Sequence, residues 1–245
     1  DLYLKYEADK TIPKKTVPAQ DLFGDLLKER AETGRIYIMN LDHCNSHSSF
    51  KDKISMSNLC QEITLPTTPI QDIHDDQGEI ALCILSAVNV GGLNDLGELE
   101  NICDLAVRAL EQIIDYQDYP VKAAEVSTKK RRSLGIGYIG LAHYLAKHGV
   151  KYSDPKAWDL VDRLSEAFQY HLLRASCNIA MEKGKCEGFD RTKYADGQLP
   201  IDHYKKDVDK IVPHKQRMAW ESLRKDIAKH GLRHSTLSAQ MPSES

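Results

Sequence analysis

The stretch "EIALCILSAVNVGG" (79–92) constrains the fold more than any other part of the chain. It is an almost unbroken apolar run closed by two glycines, the pattern of a strand buried on both faces. After it, Leu99, Ile102, Ala106, Leu110 and Ile113 recur at helical spacing, which predicts a long amphipathic helix from about Asp95 to Asp115. Leu22, Phe23, Leu26 and Leu27 predict a helix over 17–34 with Gly34 as its C-cap. A further helix is expected from Leu134 to Gly149. Another follows Ser153, Asp154 and Pro155, with an apolar stripe of Trp158, Val161, Leu164, Phe168, Leu172, Ala175 and Ile179 and a stop at Gly184. The last spans about His214 to His230. Short strands are expected at "RIYIMN" (35–40) and "STLSAQ" (235–240), and an extended stretch at 57–66. Residues 41–56 and 185–212 read as loop. Buried strands alternating with long helices argue for α/β architecture.

Composition narrows the setting. The 245 residues suffice for one large domain, and 41% hydrophobic with 28% charged residues is ordinary for a globular protein. A formal net charge of -3 gives no reason to expect nucleic acid or an anionic membrane as partner. No apolar run approaches the roughly 20 residues that span a bilayer. Six irregularly spaced cysteines are not a secreted disulfide framework, so a reducing, cytoplasmic setting is expected. The chain starts at Asp1 without Met and stops inside the turn-like "MPSES", which suggests a segment of a larger protein.

Within "SNLCQEITLP" (57–66), Asn58, Cys60 and Glu62 occupy every second position, so an extended chain would set them on one side. Glu62 is a candidate base and Asn58 a hydrogen-bonding anchor beside a thiol. Cys83 falls inside the buried run, where a core cysteine is the bland alternative to a reactive one. Cys103 and Cys177 sit in helical apolar patterns and read as small buried hydrophobes, while Cys186 lies in a loop without a visible partner.

"GIGYIG" (135–140) is a literal G-x-G-x-x-G, but "STKKRRSL" ahead of it is not a buried strand, so close helix packing is favoured over a dinucleotide loop. "KKRR" (129–132) reads as a solvated face in which one arginine has a structural partner. His43, Cys44 and His47 lack the second pair a zinc site needs, and polar side chains pinning a loop are the better reading. "MPSES" (241–245) follows a short strand and offers hydroxyls and N–H groups suited to a phosphate.

Together, "GRIYIMNLDHCNSH", "SNLCQEITLPT", "GEIALCILSAVNVG", "LGIGYIGLAHYLA" and "LRHSTLSAQMPSES" resemble, in order, the motifs of the large subunit of class I ribonucleotide reductase, bacterial and phage type. The resemblance covers essentially the whole chain. It implies an α/β barrel of two parallel half-barrels set antiparallel, ringed by helices, with a radical cysteine on a central finger loop. By that resemblance residues 1–245 form part of the catalytic barrel domain, with the N-terminal allosteric lobe and the C-terminal part outside the segment. Cys60 matches the radical cysteine and Glu62 the carboxylate that takes the 3′-hydroxyl proton. Asn58 matches the amide that holds the sugar, with Leu59 beside it. Cys83 matches one of the two redox cysteines, and Pro242, Ser243, Glu244 and Ser245 the start of the diphosphate loop.

The implied activity is reduction of ribonucleoside diphosphates to deoxyribonucleoside diphosphates by thiyl-radical chemistry, for DNA precursor synthesis. No cofactor is expected on this chain. The resemblance implies a diiron-tyrosyl radical on a small-subunit partner, thioredoxin or glutaredoxin as reductant, a large-subunit homodimer, and ATP or dATP effectors bound outside the segment. No cysteine in the first forty residues matches the second redox cysteine, so the chain alone is expected not to reduce CDP. The alternative is a non-catalytic fragment that assembles with other pieces of a split reductase; a third reading, a metal-binding module, would rest on His43, Cys44 and His47.

Overall fold

The computed structural model describes residues 2–211 and 215–242. The chain divides into two compact units, Asp1–Met39 and Asn40–Ser245. In the first, α1 (Leu2–Ala8) precedes α2 (Ala19–Thr33), which Gly34 ends in the left-handed conformation expected of a glycine C-cap, its N–H donating to the Arg30 carbonyl. "RIYIMN" forms no strand: Arg30 donates to the Ile36 carbonyl, and the segment pairs with no sheet among the described residues.

The second unit is built on parallel strands. β1 (Ile84–Asn89) pairs in parallel with β2 (Leu134–Ile139), Leu85 opposite Gly135 and Ala87 opposite Gly137. Residues 236–239 lie along the other edge of β2: Leu134 and Ile136 donate to the carbonyls of Thr236 and Leu237, and Ser238 bridges Ile136 in parallel. The helix expected over 134–149 is therefore a strand followed by α6 (Leu141–Lys147). Glycines at alternate positions weaken a helix, and Leu134 and Ile136, both fully buried, fill one face of a strand instead. "GIGYI" is thus sheet and not a helix-packing motif, and the following Gly140 takes the left-handed turn (φ 76°) into α6.

The run 79–92 yields a strand only over 84–89, and its faces differ. Val88 is buried, whereas Leu85, Ala87 and Asn89 are exposed among the described residues. The buried face packs on α4 (Glu98–Tyr116), and α4 packs on α7 (Pro155–Lys183). Leu164, Phe168, Leu172, Ala175 and Ile179 follow the expected stripe, but Trp158 is 52% exposed and Ala157 takes the inward position. α8 (Trp220–His230) starts later than periodicity suggested. The buried Glu166 carboxylate accepts the N–H groups of Arg217 and Met218 and the indole N–H of Trp220, which holds the residues before α8 out of helical geometry. Residues 185–210 carry four short 3-10 turns, in keeping with a loop-rich stretch.

"KKRR" closes α5 (Lys122–Arg131), and two of its cations point inward rather than to solvent. Arg131 binds Glu79 and Asp52, Lys130 binds Glu79, and Arg132 (φ 48°) binds Glu111 and Asp115. The end of α5 lies in the interior beside α4 and the turn at 187–191, and there a guanidinium needs carboxylate partners. Only Lys129, bound to Glu125, behaves as an exposed charge.

Candidate functional site

Residues 57–63 do not run extended. The Asn58 N–H donates to the Ile63 carbonyl (3.3 Å), the Ile63 N–H returns to Asn58 Oδ1 (3.0 Å), and the Gln61 N–H closes on the Asn58 carbonyl (3.2 Å). Gln61 has φ 62°, a left-handed conformation that a glutamine adopts only when the surrounding hydrogen bonds hold it there. The result is a short closed finger with Leu59 (75% exposed) and Cys60 at its tip. The alternation of Asn58, Cys60 and Glu62 thus does not align three side chains on a strand; it spaces them around a turn, anchor at the base and thiol at the tip.

On the return limb Glu62 is half-buried, and its Oε2 is enclosed without a hydrogen-bond partner. It approaches Cys83, which leads into β1: burial pushes the Cys83 thiol up to about 12, and the Glu62 carboxylate adds to the rise. Both effects disfavour a thiolate. Cys83 is a neutral thiol on the sheet face turned away from α4, in one row with Leu85 and beside Gly135 of β2. The segment over 236–241 reaches the same place, with Ala239 beside Gly135 and the Met241 sulfur beside Gly137. Pro242 follows it, exposed; Ser243, Glu244 and Ser245 lie outside the described residues.

The structure thus gathers Glu62, Cys83 and the approach to Pro242, and presents Cys60 and Asn58 on the adjoining finger. A cleft of about 520 Å³ borders the finger, lined by Met56, Asn58, Ile63, Leu65, Ile70 and Ile80. Of the described candidate residues only Asn58 lines it; Cys60, Glu62 and Cys83 do not.

Residues 41–56 contain a helix, α3 (Leu41–His47), where loop was expected. Its Asn45 amide pins the chain beyond, donating to the Ile54 carbonyl (2.9 Å) and accepting the Ile54 N–H (2.8 Å). His43 and His47 sit one turn apart with ring centroids 6.3 Å apart, and His47 Nδ1 lies 3.0 Å from the His43 carbonyl. Among the described residues no group of three or more His, Cys, Asp or Glu side chains could hold a metal ion. Cys103 and Cys177 are buried in α4 and α7, as their apolar settings predict, and Cys186 is buried as well. The sequence reading passed over Gly135 and Gly137 as members of the site. Their alternation in a β-rich run was the available signal.

Comparison with known proteins identifies the family. The family model described as "Ribonucleotide reductase, barrel domain" matches residues 1–245. The chain is 58% identical over 247 residues to ribonucleoside-diphosphate reductase subunit alpha of Haemophilus influenzae, covering 100% of this chain and 33% of that protein. It is 55% identical to ribonucleoside-diphosphate reductase 1 subunit alpha of Escherichia coli (99% and 32% covered) and 42% identical to the subunit alpha of Enterobacteria phage T4 (100% and 32%). The chain spans about a third of the length of the curated relatives it matches. A family model that covers the whole chain, with relatives 58% and 55% identical along it, shows that the chain belongs to the ribonucleotide reductase barrel-domain family.

Proposed function

We propose that this chain carries the radical and first redox thiol of a ribonucleoside-diphosphate reductase, an oxidoreductase that makes deoxyribonucleotides. The observation that carries the reading is the finger: Asn58 and Ile63 close it, Cys60 stands at its tip, and Glu62 returns against Cys83.

In this reading Cys60 loses its hydrogen atom to an oxidising equivalent delivered by a radical-generating small subunit, whose diiron-tyrosyl centre lies outside this chain. The Cys60 thiyl then takes the 3′ hydrogen atom of the substrate. Glu62, with one oxygen enclosed and unpartnered, takes the 3′-hydroxyl proton. Asn58 Oδ1 is committed to the finger, which leaves its amide N–H groups to hold the sugar in near-attack geometry. The 2′-hydroxyl departs as water. Cys83 and a second thiol supply two protons and two electrons and become a disulfide, and Cys60 returns its hydrogen atom. The sum is ribonucleotide plus two thiols giving deoxyribonucleotide, water and disulfide. The neutral state of Cys83 suits this role, since the thiol must deliver a proton with its electrons.

The chain following Ala239 and Met241 would receive the diphosphate at Pro242, Ser243, Glu244 and Ser245. A thioredoxin or glutaredoxin would reopen the disulfide, a second large subunit would complete a homodimer, and ATP or dATP would act elsewhere in the full protein. The free thiols suit a cytoplasmic setting. No helix among the described residues is long and apolar enough to cross a membrane.

The test is Cys60→Ala in a full-length reductase subunit carrying this segment. Because Cys60 is exposed, the fold should be kept while turnover falls below detection. Residual turnover above a few per cent would end the assignment. Cys83→Ser should stop repeated turnover with a dithiol protein reductant.

A further inference from the structure

The glycines of β2 face the thiol chemistry, and one of them is filled by sulfur. A Cβ built at Gly135 would stand 2.6 Å from Cys83 Sγ, 2.6 Å from Leu85 Cδ2 and 3.2 Å from Ala239 Cβ. A Cβ at Gly137 would stand 2.7 Å from the Ala239 carbonyl oxygen and 2.7 Å from Met241 Sδ. Neither glycine has a positive φ among the described residues, so backbone conformation does not demand glycine at either position. Both φ ranges would accept alanine, and a β-branched residue would fit a strand better. What crowds a side chain at 135 is the Cys83 sulfur and the Leu85 side chain, with Ala239 Cβ somewhat further off.

We infer that Gly135 is a positioning residue for Cys83: the missing side chain leaves the seat that the Cys83 sulfur occupies, beside Glu62 and the segment leading to Pro242. Leu85 is half-exposed and can swing away from an added methyl. Cys83 has a single rotatable bond to its sulfur, so its sulfur can yield only by changing rotamer. A change of χ1 is thus the route by which the sulfur can leave the Gly135 side. This inference rests on the proposed redox role of Cys83 only for its catalytic consequence; the geometric claim stands apart from it.

Two measurements on Gly135→Ala, made in the full-length subunit carrying this segment, test the seat. The first is the alkylation rate of each cysteine with N-ethylmaleimide, read by mass spectrometry. Displacement of the sulfur should change the Cys83 rate at least about fivefold while Cys60 and Cys44 stay within twofold. An unchanged Cys83 rate would overturn the inference. The second is a double-mutant cycle of melting temperatures with Cys83→Ala. The loss of Tm caused by Gly135→Ala should shrink by at least half when the sulfur is absent, and additive losses would also overturn the inference. If Gly135→Ala does not fold alone, folding of Gly135→Ala/Cys83→Ala supports the seat and failure of both variants refutes it. In turnover, Gly135→Ala should lower kcat at least about tenfold with KM for the nucleotide within twofold. Should Cys83→Ser itself sustain repeated turnover, the proposed redox role falls while the alkylation and Tm results still judge the seat.

Discussion

Cys83 and Cys60 are both free thiols within one small region, yet they face opposite environments. Burial, with the Glu62 carboxylate in addition, lifts the Cys83 thiol to about 12, whereas Cys60 stands in solvent at the finger tip. Alkylation requires thiolate. The rate at Cys83 should therefore rise about tenfold per pH unit from 7 to 10 without levelling, and a plateau below pH 10 would contradict the enclosed site. Pattern and resemblance in the sequence name Asn58, Cys60, Glu62 and Cys83 as candidates. Their arrangement is not legible there. Strand parity predicts a straight row, but the positive φ at Gln61 and the Asn58–Ile63 pair turn the chain, and a single-residue backbone choice leaves no mark in a period-two pattern.

Between elements, the firmest polar tie centres on Glu111 of α4. It accepts from Arg132 at the end of α5 (2.8 Å), from Arg233 (2.8 Å) and from the Nε2 of His234 (3.0 Å). Ser176 of α7 completes the contact, lying 2.9 Å from His234 Nδ1 and accepting the His234 N–H. Burial alone would raise the Glu111 carboxyl, but the hydrogen bonds from His234, Arg132 and Arg233 overcome it and hold it down to about 2. Burial also lowers His234 below its usual 6.5 despite Glu111, so it stays neutral.

Both groups bind protons more readily in the unfolded chain, so both contribute stability at high pH and lose it toward acid. The His234 part is complete above pH 6.5 and the Glu111 part above 4.5, and the latter disappears as pH falls toward 2. Glu111→Gln should cost about 3–5 kcal/mol in urea unfolding at pH 7, since it strands buried cations. It should also flatten the stability profile between pH 4.5 and 2; a variant as acid-sensitive as the parent would count against this account. Helices α2, α4 and α7 were legible from their 3.6-residue periods. The strand at β2 was not, because Gly135 and Gly137 remove the apolar alternation that identifies a strand, and of the two buried arginines the sequence allowed a structural partner for one only, because pattern cannot show that Glu79 and Glu111 await Arg131 and Arg132.

Across the whole molecule, stability is unevenly spread. No residue of α2 is buried, whereas α7 buries residues along most of its length from Ala157 to Ala180. Amide hydrogen exchange should follow that difference, with α2 exchanging at least about a hundredfold faster than the centre of α7. Equal protection would show that α2 is covered in solution. The α/β class followed from alternating strands and helices, but the order of strands in space did not, since β2 takes its neighbours from residues 84–89 on one side and 236–239 on the other. That arrangement has a temporal side. The finger is closed by contacts within six residues, while the outer edge of β2 is covered by a segment about 100 residues further along the chain than β2 itself. Pairings of such separation form late. A growing or partly folded chain thus closes its finger early, while the far edge of β2 waits for residues 236–239 to dock.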